Sequence, residues 1–291
     1  MIDFYILGNP RSGTTLLRLM MSAHSGLIVP PEAGFAVFLL ENWDNKIPYS
    51  HCRYISSLKR TTKIVNWGID YQELDGQLLK ANVSSLIEAM QETYRYYAVK
   101  HKEANCLIGD KNNFYIHHIS SICKLSPKAK FIHIIRDGRD VACSYQEVMS
   151  KGITSKYAPN LPTDIKAIAT EWADNNQKLI DELSGKNVYQ IKLEDLIARP
   201  KDVLVRICTF LGVNYDKNML DYYEKKYSDM LEPEEYNQWK LKNRKPLIND
   251  SYKYKKILTK EDVKLFEKLA GKQLSYFEYP IESSEIEKIG F

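Results

Sequence analysis

The chain has 291 residues, of which 44% are hydrophobic and 27% charged, and its formal net charge is +4. This composition supports an ordinary globular core, and the mild positive charge argues against a nucleic-acid-binding arm while suiting an anionic ligand. The five cysteines are scattered and form no Cys-x-x-Cys pair, which argues against a disulfide framework or a zinc site and favours free thiols in a reducing compartment.

The first residues lead directly into a predicted strand and lack the basic segment and long apolar stretch of a signal peptide. No apolar run of the sequence reaches the length needed to cross a bilayer. We therefore expect a cytoplasmic protein without a membrane span and without a nucleic-acid partner. The sequence does not indicate an oligomeric state.

Short apolar runs and helical periodicities alternate along the chain. The predicted strands are, in chain order, residues 4–7, 27–29, 106–109, 131–135 and 188–191. The predicted helices are residues 14–24, most of 35–103, 116–125, a segment for which Asp137 is the predicted N-cap, 164–183, 200–211 and 259–270. In the last helix, Thr259 and Asp262 form a capping box, Val263, Phe266 and Leu269 are predicted to be buried, and Gly271 is predicted to end the helix.

The order of strand, glycine loop and helix at the start of the chain predicts an α/β fold. We expect a P-loop-type parallel β-sheet of about four to five strands that is flanked by helices and carries helical insertions. The sequence contains no internal repeat, low-complexity segment or convincing linker. Residues 1–291 are therefore predicted to form a single domain.

The segment from Gly8 to Thr15 lies between the first strand and the first helix and is typical of a phosphate-binding loop. Backbone N–H groups and the positive end of the helix dipole favour an anion there, and Thr14, Thr15 and Arg11 add hydroxyl donors and a cation. Compared with the triphosphate loop GxxxxGK[ST], the glycines are correctly spaced but Thr14 replaces the lysine. The loop thus suits one 5′-phosphate and a group attached to it; the alternative is a simple turn that starts a helix.

A second anion site is predicted where the strand at 131–135 ends. Arg136 follows this strand, and ligands gather at the carboxyl ends of strands in open α/β sheets. Arg136 offers a bidentate fork to a phosphate, and Ser144, eight residues later, offers a hydroxyl. Arg139 and Asp140 are expected to pair with each other or with neighbours, and the same pattern alone is also typical of a surface charge cluster.

Together these two sites resemble the superfamily of sulfotransferases that use 3′-phosphoadenosine 5′-phosphosulfate (PAPS). Its members share a loop of the type PKSGTT or PRSGTT, here residues 10–15, and an element R-[DN]-P-[RK]-D-x-x-x-S, here residues 136–144. The resemblance also covers residues 109–111, 194–196 with Pro200, 210–212 and 258–279. It is nearer to the bacterial and protein-tyrosine or carbohydrate branch than to the cytosolic phenol branch.

The resemblance implies that PAPS is the co-substrate and adenosine 3′,5′-bisphosphate (PAP) the product. The residues implied for the 5′-phosphosulfate are Arg11, Ser12, Gly13, Thr14 and Thr15, and those for the 3′-phosphate are Arg136 and Ser144. A basic loop near the C-terminus usually closes over the 3′-phosphate, and its candidates are Arg244 and Lys245, with Lys253, Lys255 and Lys256 nearby. Gly138 replaces the usual proline, which is expected to loosen the turn. Leu193 replaces a tyrosine of many relatives, and no counterpart of the adenine-stacking aromatic residue is evident.

Sulfuryl transfer requires in-line geometry, cations on the transferred group and removal of the acceptor proton. The sulfonate carries less charge than a phosphoryl group, so protein cations can serve and no metal is expected. Glu32 is the candidate base, because a glutamate in this region is the base of the tyrosine-sulfating relatives; alternatively it caps the helix near Phe35 or pairs with Arg11 or Arg18. His24 and His117 rank below it.

Two cations are the remaining catalytic candidates. Lys111 aligns with a lysine that contacts the sulfonate or the acceptor in relatives, and its alternative is an ion pair with Asp110 or another loop acid. Arg11 is expected to stabilise charge that develops on the bridging oxygen of the leaving nucleotide.

The predicted reaction is sulfuryl transfer to a hydroxyl of a carbohydrate, lipid, tyrosine or small metabolite. Residues 35–103 and 150–162 are expected to shape the acceptor pocket. Two other functions stay open on the sequence alone: a P-loop kinase or NTPase, and a non-catalytic nucleotide- or glycan-binding protein on the same fold.

Overall fold

The structure is a computed structural model, and it describes residues 2–102, 105–153, 158–224 and 245–282. Within those residues, one sheet contains the strands β1 (Phe4–Leu7), β2 (Leu27–Ile28), β3 (Leu107–Lys111), β4 (Lys130–Ile135) and β5 (Val188–Lys192). The strand order is β2-β3-β1-β4-β5, and every neighbouring pair is parallel. The predicted parallel sheet is confirmed, and its five described strands stand at the upper end of the expected number.

Helices cover the sheet and fill the long connection between β2 and β3. The described helices are α1 (Thr14–Ala23), α2 (Phe35–Asn42), α3 (His51–Lys59), α4 (Tyr71–Lys80), α5 (Leu86–His101), α6 (Ile119–Leu125), α7 (Gly138–Met149), α8 (Ile165–Glu182), α9 (Leu193–Ala198), α10 (Pro200–Leu211), α11 (Tyr254–Ile257) and α12 (Lys260–Tyr276). Short 3₁₀ turns lie at Ile64–Trp67, Asn113–His117 and Lys217–Asp221. Helices α2 to α5 form the predicted helical insertion.

The two faces of the sheet are buried by different helices. Along β1, Phe4 and Ile6 pack with apolar side chains of α1 and α10, whereas Tyr5 and Leu7 pack with those of α2 to α6. This division follows from the alternation of side chains along a strand. Burial on both faces explains why β1 reads as a continuous apolar run rather than as an alternating one.

The strand order brings the predicted functional segments to one edge of the sheet. Strand β1 lies between β3 and β4, so the loop after β1 emerges between the end of β3, at Lys111, and the end of β4, before Arg136. The segment after β2 carries Glu32 beside β3. Since the carboxyl ends of parallel strands share one edge, these segments converge there.

The last helix differs from the prediction. It runs through Gly271 to Tyr276, and its buried stripe includes Phe266, Ala270 and Leu274, while Leu269 is 38% exposed. These three residues, spaced four positions apart, pack in the apolar cluster that also includes residues of α7 and α8. This packing offsets the cost of about 1 kcal/mol that a glycine such as Gly271 has inside a helix. The capping box of Thr259 and Asp262 is confirmed.

Gly138, expected to loosen a turn, is instead tightly packed at the first position of α7. A Cβ atom at this position would lie 2.5 Å from Cζ of Phe266 and 2.6 Å from Cδ2 of Trp172. We expect Gly138→Ala to lower the free energy of unfolding by about 1–3 kcal/mol, because both rings are buried and must shift. Chemical denaturation measures this, and equal or greater stability of the variant would contradict the packing explanation.

Candidate active site

The turn between β1 and α1 has the conformation of an anion-binding loop. Arg11 and Gly13 have positive φ angles of 67° and 89°. A Cβ atom at Gly13 would lie 2.5 Å from Cδ1 of Leu193, and one at Gly8 would lie 2.4 Å from the carbonyl oxygen of Ile134. Both glycines are therefore required by close packing, and Gly13 also by its left-handed backbone.

A buried polar contact anchors this loop. Asn9 donates from Nδ2 to the Tyr145 hydroxyl at 3.0 Å and accepts at Oδ1 from Nδ2 of Asn175 at 2.8 Å. The Tyr145 hydroxyl in turn donates to Oε1 of Glu171 at 2.7 Å. Asn9 thus ties the loop to α7 and α8, a role that the sequence analysis missed although a polar residue directly after a buried strand was visible.

The two predicted anion sites are in direct contact. Nε of Arg11 donates to Oγ of Ser144 at 3.2 Å, and Nη1 of Arg136 donates to the carbonyl oxygen of Arg11, also at 3.2 Å. Burial and the neighbouring Arg136 guanidinium lower the pKa of Arg11 to about 10. Since this leaves Arg11 protonated at neutral pH, two cations stand side by side where an anion would stabilise both.

Ser12 adds an independent sign of a ligand. Its Oγ is buried and has no hydrogen-bond partner among the described residues. Buried hydroxyls are almost always hydrogen-bonded in proteins, so an orphaned one requires an explanation. A phosphate oxygen in the loop would supply the missing partner.

Glu32 and Lys111 meet at the carboxyl ends of β2 and β3. Lys111 is 1% exposed, and its Nζ donates to Oε1 of Glu32 and, at 3.3 Å, to Oγ1 of Thr15. Glu32 is 8% exposed and also lies near Lys63, with 3.6 Å between Oε2 and Nζ. The structure thus links Glu32 and Lys111 to the phosphate loop.

The structure excludes one alternative for Glu32, that of a helix cap. The N-cap of α2 is Gly34, so Glu32 does not take that position. Thr14, the residue in place of the triphosphate-loop lysine, donates from Oγ1 to Oδ1 of Asn113 at 3.0 Å. Lys63 comes from the helical insertion, and the sequence carries no local signal for its approach to Glu32.

Arg139 and Asp140, which follow Arg136, have structural contacts. Arg139 is fully buried, where Nη2 contacts Oδ2 of Asp137 at 2.7 Å and Nη1 contacts Oε1 of Glu267 at 2.6 Å. Asp140 accepts from the backbone N–H groups of Tyr252 and Tyr254 at 2.7 and 2.9 Å. The expected pairing of Arg139 and Asp140 is therefore with neighbours, and both tie the C-terminal segment to α7.

The C-terminal basic residues differ in their placement. Lys253 Nζ donates to Oε2 of Glu147 at 3.2 Å, one turn of α7 beyond Ser144, whereas Lys255 pairs with Glu282 at 2.8 Å. Lys245 is exposed, and its carbonyl oxygen accepts from the Tyr222 hydroxyl at 2.7 Å. Arg244 lies outside the described residues. Lys253 is thus the described C-terminal cation that approaches the face of α7 carrying Ser144.

A family model named for the sulfotransferase family matches residues 3–217 of this chain. The chain belongs to the sulfotransferase family. Protein-tyrosine sulfotransferase A of Caenorhabditis elegans is 24% identical over 222 residues, which is 75% of this chain and 52% of that protein. The chain thus spans about half the length of this curated relative.

Solved sulfotransferase structures share the fold. The sulfotransferase domain of the Synechococcus PCC 7002 olefin synthase superposes with a TM-score of 0.61 at 24% identity, covering 97% of this chain and 96% of that domain. Mouse sulfotransferase SULT7A1, solved in complex with PAP, gives a TM-score of 0.50 at 16% identity, covering 94% and 84%. At these identities the likeness establishes the fold.

Glu194, in the segment Glu194-Asp195-Leu196 that resembles the superfamily, contacts the start of α7. Oε1 of Glu194 accepts from the backbone N–H of Asp137 at 3.0 Å, and Oε2 accepts from the Tyr279 hydroxyl at 3.0 Å. Burial raises the pKa of Glu194. The motif therefore fixes the start of α7, directly after Arg136.

The two histidine candidates lie elsewhere. His24 follows the end of α1, where Nε2 contacts the carbonyl oxygen of Asn214 at 2.7 Å and Nδ1 accepts from the Gly26 N–H at 2.8 Å. His117 is exposed on a 3₁₀ turn. Neither has a contact with the phosphate loop among the described residues.

Two searches of the described residues concern the expected absences. No group of three or more His, Cys, Asp and Glu side chains is arranged to hold a metal ion in that part of the chain. None of its helices combines the length and the apolar character needed to cross a membrane.

Proposed function

We propose that this protein transfers a sulfuryl group from PAPS to a hydroxyl group of an acceptor. The observation that carries this proposal is the contact between the two anion sites, in which Arg11 reaches Ser144 and Arg136 reaches the backbone of Arg11. A nucleoside that carries phosphate groups at both its 3′ and 5′ positions would occupy both sites. PAP, the ligand of the mouse relative, has this chemistry.

The residues present fit such a nucleotide. The N–H groups and hydroxyls of the loop at 12–15 would hold the 5′-phosphosulfate, with the orphaned Oγ of Ser12 among them. Arg136 and Ser144 would hold the 3′-phosphate. Lys253 is the second cation that we assign to this phosphate, because Glu147 holds it beside the same face of α7.

Three side chains are assigned to the transfer itself. Glu32 would accept the proton of the acceptor hydroxyl as the new oxygen–sulfur bond forms. Lys111, which contacts Glu32 and Thr15 in the structure, would neutralise the sulfonate. Arg11 would stabilise the charge left on the nucleotide oxygen as the old sulfur–oxygen bond breaks. PAP leaves with that electron pair. The acceptor is proposed only as a hydroxyl of a carbohydrate, lipid, tyrosine or small metabolite.

The proposal is tested first by ligand binding, which needs no knowledge of the acceptor. In calorimetric titrations we expect PAP to bind at least about tenfold more tightly than ATP with Mg²⁺, because Thr14 occupies the position of the triphosphate-binding lysine. Tight binding of ATP with Mg²⁺ and none of PAP would favour the kinase alternative. Transfer of ³⁵S from labelled PAPS to a panel of tyrosine peptides, sugars, lipids and phenols then tests turnover and excludes a purely binding role.

A further inference from the structure

A second buried carboxylate belongs to the residue that precedes Lys111, the cation in contact with the proposed base. Asp110, in β3, is 1% exposed. Its Oδ2 accepts from the hydroxyls of Tyr94 and Tyr115, each at 2.5 Å, and its Oδ1 accepts from the backbone N–H of Lys111 at 2.7 Å. Three donors on one carboxylate stabilise its ionised form, so these contacts hold a negative charge in the interior.

This charge is electrostatically linked to the active site. Burial raises the pKa of Asp110, the three hydrogen bonds oppose that increase, and the charge of Glu32 adds to it. Asp110 directly precedes Lys111, whose ammonium contacts Glu32. On the sequence alone, Asp110 is an alternative ion partner of Lys111; in the structure it accepts a hydrogen bond from the backbone N–H of that residue.

Three cationic residues lie near Glu32 or the segment that carries it. Lys111 of β3 and Lys63, just before the 3₁₀ turn, both lie within ion-pair distance of its carboxylate. Arg18 of α1 donates to the carbonyl oxygen of Val29, three residues before Glu32. Nearby cations favour the ionised carboxylate and therefore weaken it as a base.

We propose that Asp110 is a positioning residue that acts through Glu32: its fixed negative charge offsets the surrounding lysines and keeps Glu32 basic enough to take the acceptor proton. The same charge favours the ammonium form of the buried Lys111. The charges of Arg18, Lys63, Lys111 and Glu32 sum to +2, and the charge of Asp110 lowers this sum to +1. This inference rests on the proposed function and specifies how its base is tuned.

The test is the pH profile of kcat for Asp110→Asn, measured by ³⁵S transfer. Removing the negative charge makes the ionised form of Glu32 easier to reach, so its pKa falls and the acidic limb of the profile moves to lower pH. We expect a shift of about one pH unit, the order produced by a charge roughly 12 Å away at an effective dielectric constant of about 20. The plateau of kcat should fall about three- to tenfold, because the base is weaker.

Glu92→Gln is the matched control. Glu92 is a buried carboxylate of the neighbouring helix α5, 5% exposed, that accepts from Gln77 and pairs with Arg95 instead of facing Glu32. Its acidic limb should coincide with that of the wild type. An unshifted limb in Asp110→Asn would overturn the inference.

A second variant keeps the test decisive if Asp110→Asn does not fold. Tyr94→Phe removes one donor and keeps the carboxylate, which then holds its charge less well, so a smaller shift in the same direction is expected; no shift would overturn the inference. The two levels of the proposal fail differently. If Glu32→Gln is inactive but the limb of Asp110→Asn is unshifted, only the role of Asp110 fails, whereas a wild type that binds no PAP and transfers no ³⁵S removes the proposed function.

Discussion

Glu32→Gln should lower kcat for sulfuryl transfer by about 10²- to 10⁴-fold, the contribution of a positioned general base. The amide keeps the shape of the side chain and can still contact Lys111 through its carbonyl oxygen, but it cannot take a proton. The affinity for PAP should change little, since the proposed nucleotide contacts lie at residues 11–15, 136, 144 and 253. Steady-state ³⁵S transfer and calorimetry measure the two quantities separately.

The matched control for this variant is Glu182→Gln. Glu182, in α8, pairs with Lys178 at the surface and is not part of the proposed site, so this variant should leave kcat unchanged. Wild-type turnover by Glu32→Gln would remove Glu32 as the base. Its contact with Lys111 would then be a structural ion pair.

Arg136→Ala should weaken the binding of PAP by about 10²-fold, the effect of losing a charge-assisted contact worth about 2–3 kcal/mol. The affinity for adenosine 5′-phosphate should fall by no more than about threefold, because this ligand lacks the 3′-phosphate and is affected only through the backbone of Arg11. Calorimetric titration of both nucleotides gives the ratio. Equal losses for the two ligands would contradict the assignment of Arg136 to the 3′-phosphate.

Two further comparisons sharpen this experiment. Arg199→Ala removes an exposed arginine that pairs with Asp195 on the surface and should leave both affinities unchanged. Lys253→Ala should weaken PAP selectively by about tenfold, whereas Lys255→Ala, at a half-exposed residue paired with Glu282, should not. A larger effect at Lys255 would reverse the choice between these two cations.

The sheet and the phosphate loop were predictable because their signals are local. The apolar run at residues 4–7, the glycine loop and the helical spacing that follows lie within 24 consecutive residues and appear in the structure with nearly the same bounds. Asp137 was likewise correctly identified as the cap of α7, where it accepts from the N–H of Arg139. Each of these features depends on neighbours in the chain.

The rest depends on tertiary packing, which one sequence does not show. Leu269 has the spacing of a buried residue, but α12 turns Phe266, Ala270 and Leu274 inward, so the predicted stripe was partly wrong. Lys63 reaches Glu32 from the helical insertion without any local motif. The cytoplasmic location, the single domain and the catalytic roles stay predictions.

The backbone N–H groups that donate to Asp140 belong to Tyr252 and Tyr254, which lie 112 and 114 positions further along the chain. They lie beyond residue 217, where the match to the family model stops. A polypeptide cut before residue 252 would leave this interior carboxylate without those donors, next to Arg136. We therefore expect docking of the final part of the chain to help hold Arg136, the residue proposed for the 3′-phosphate, in place.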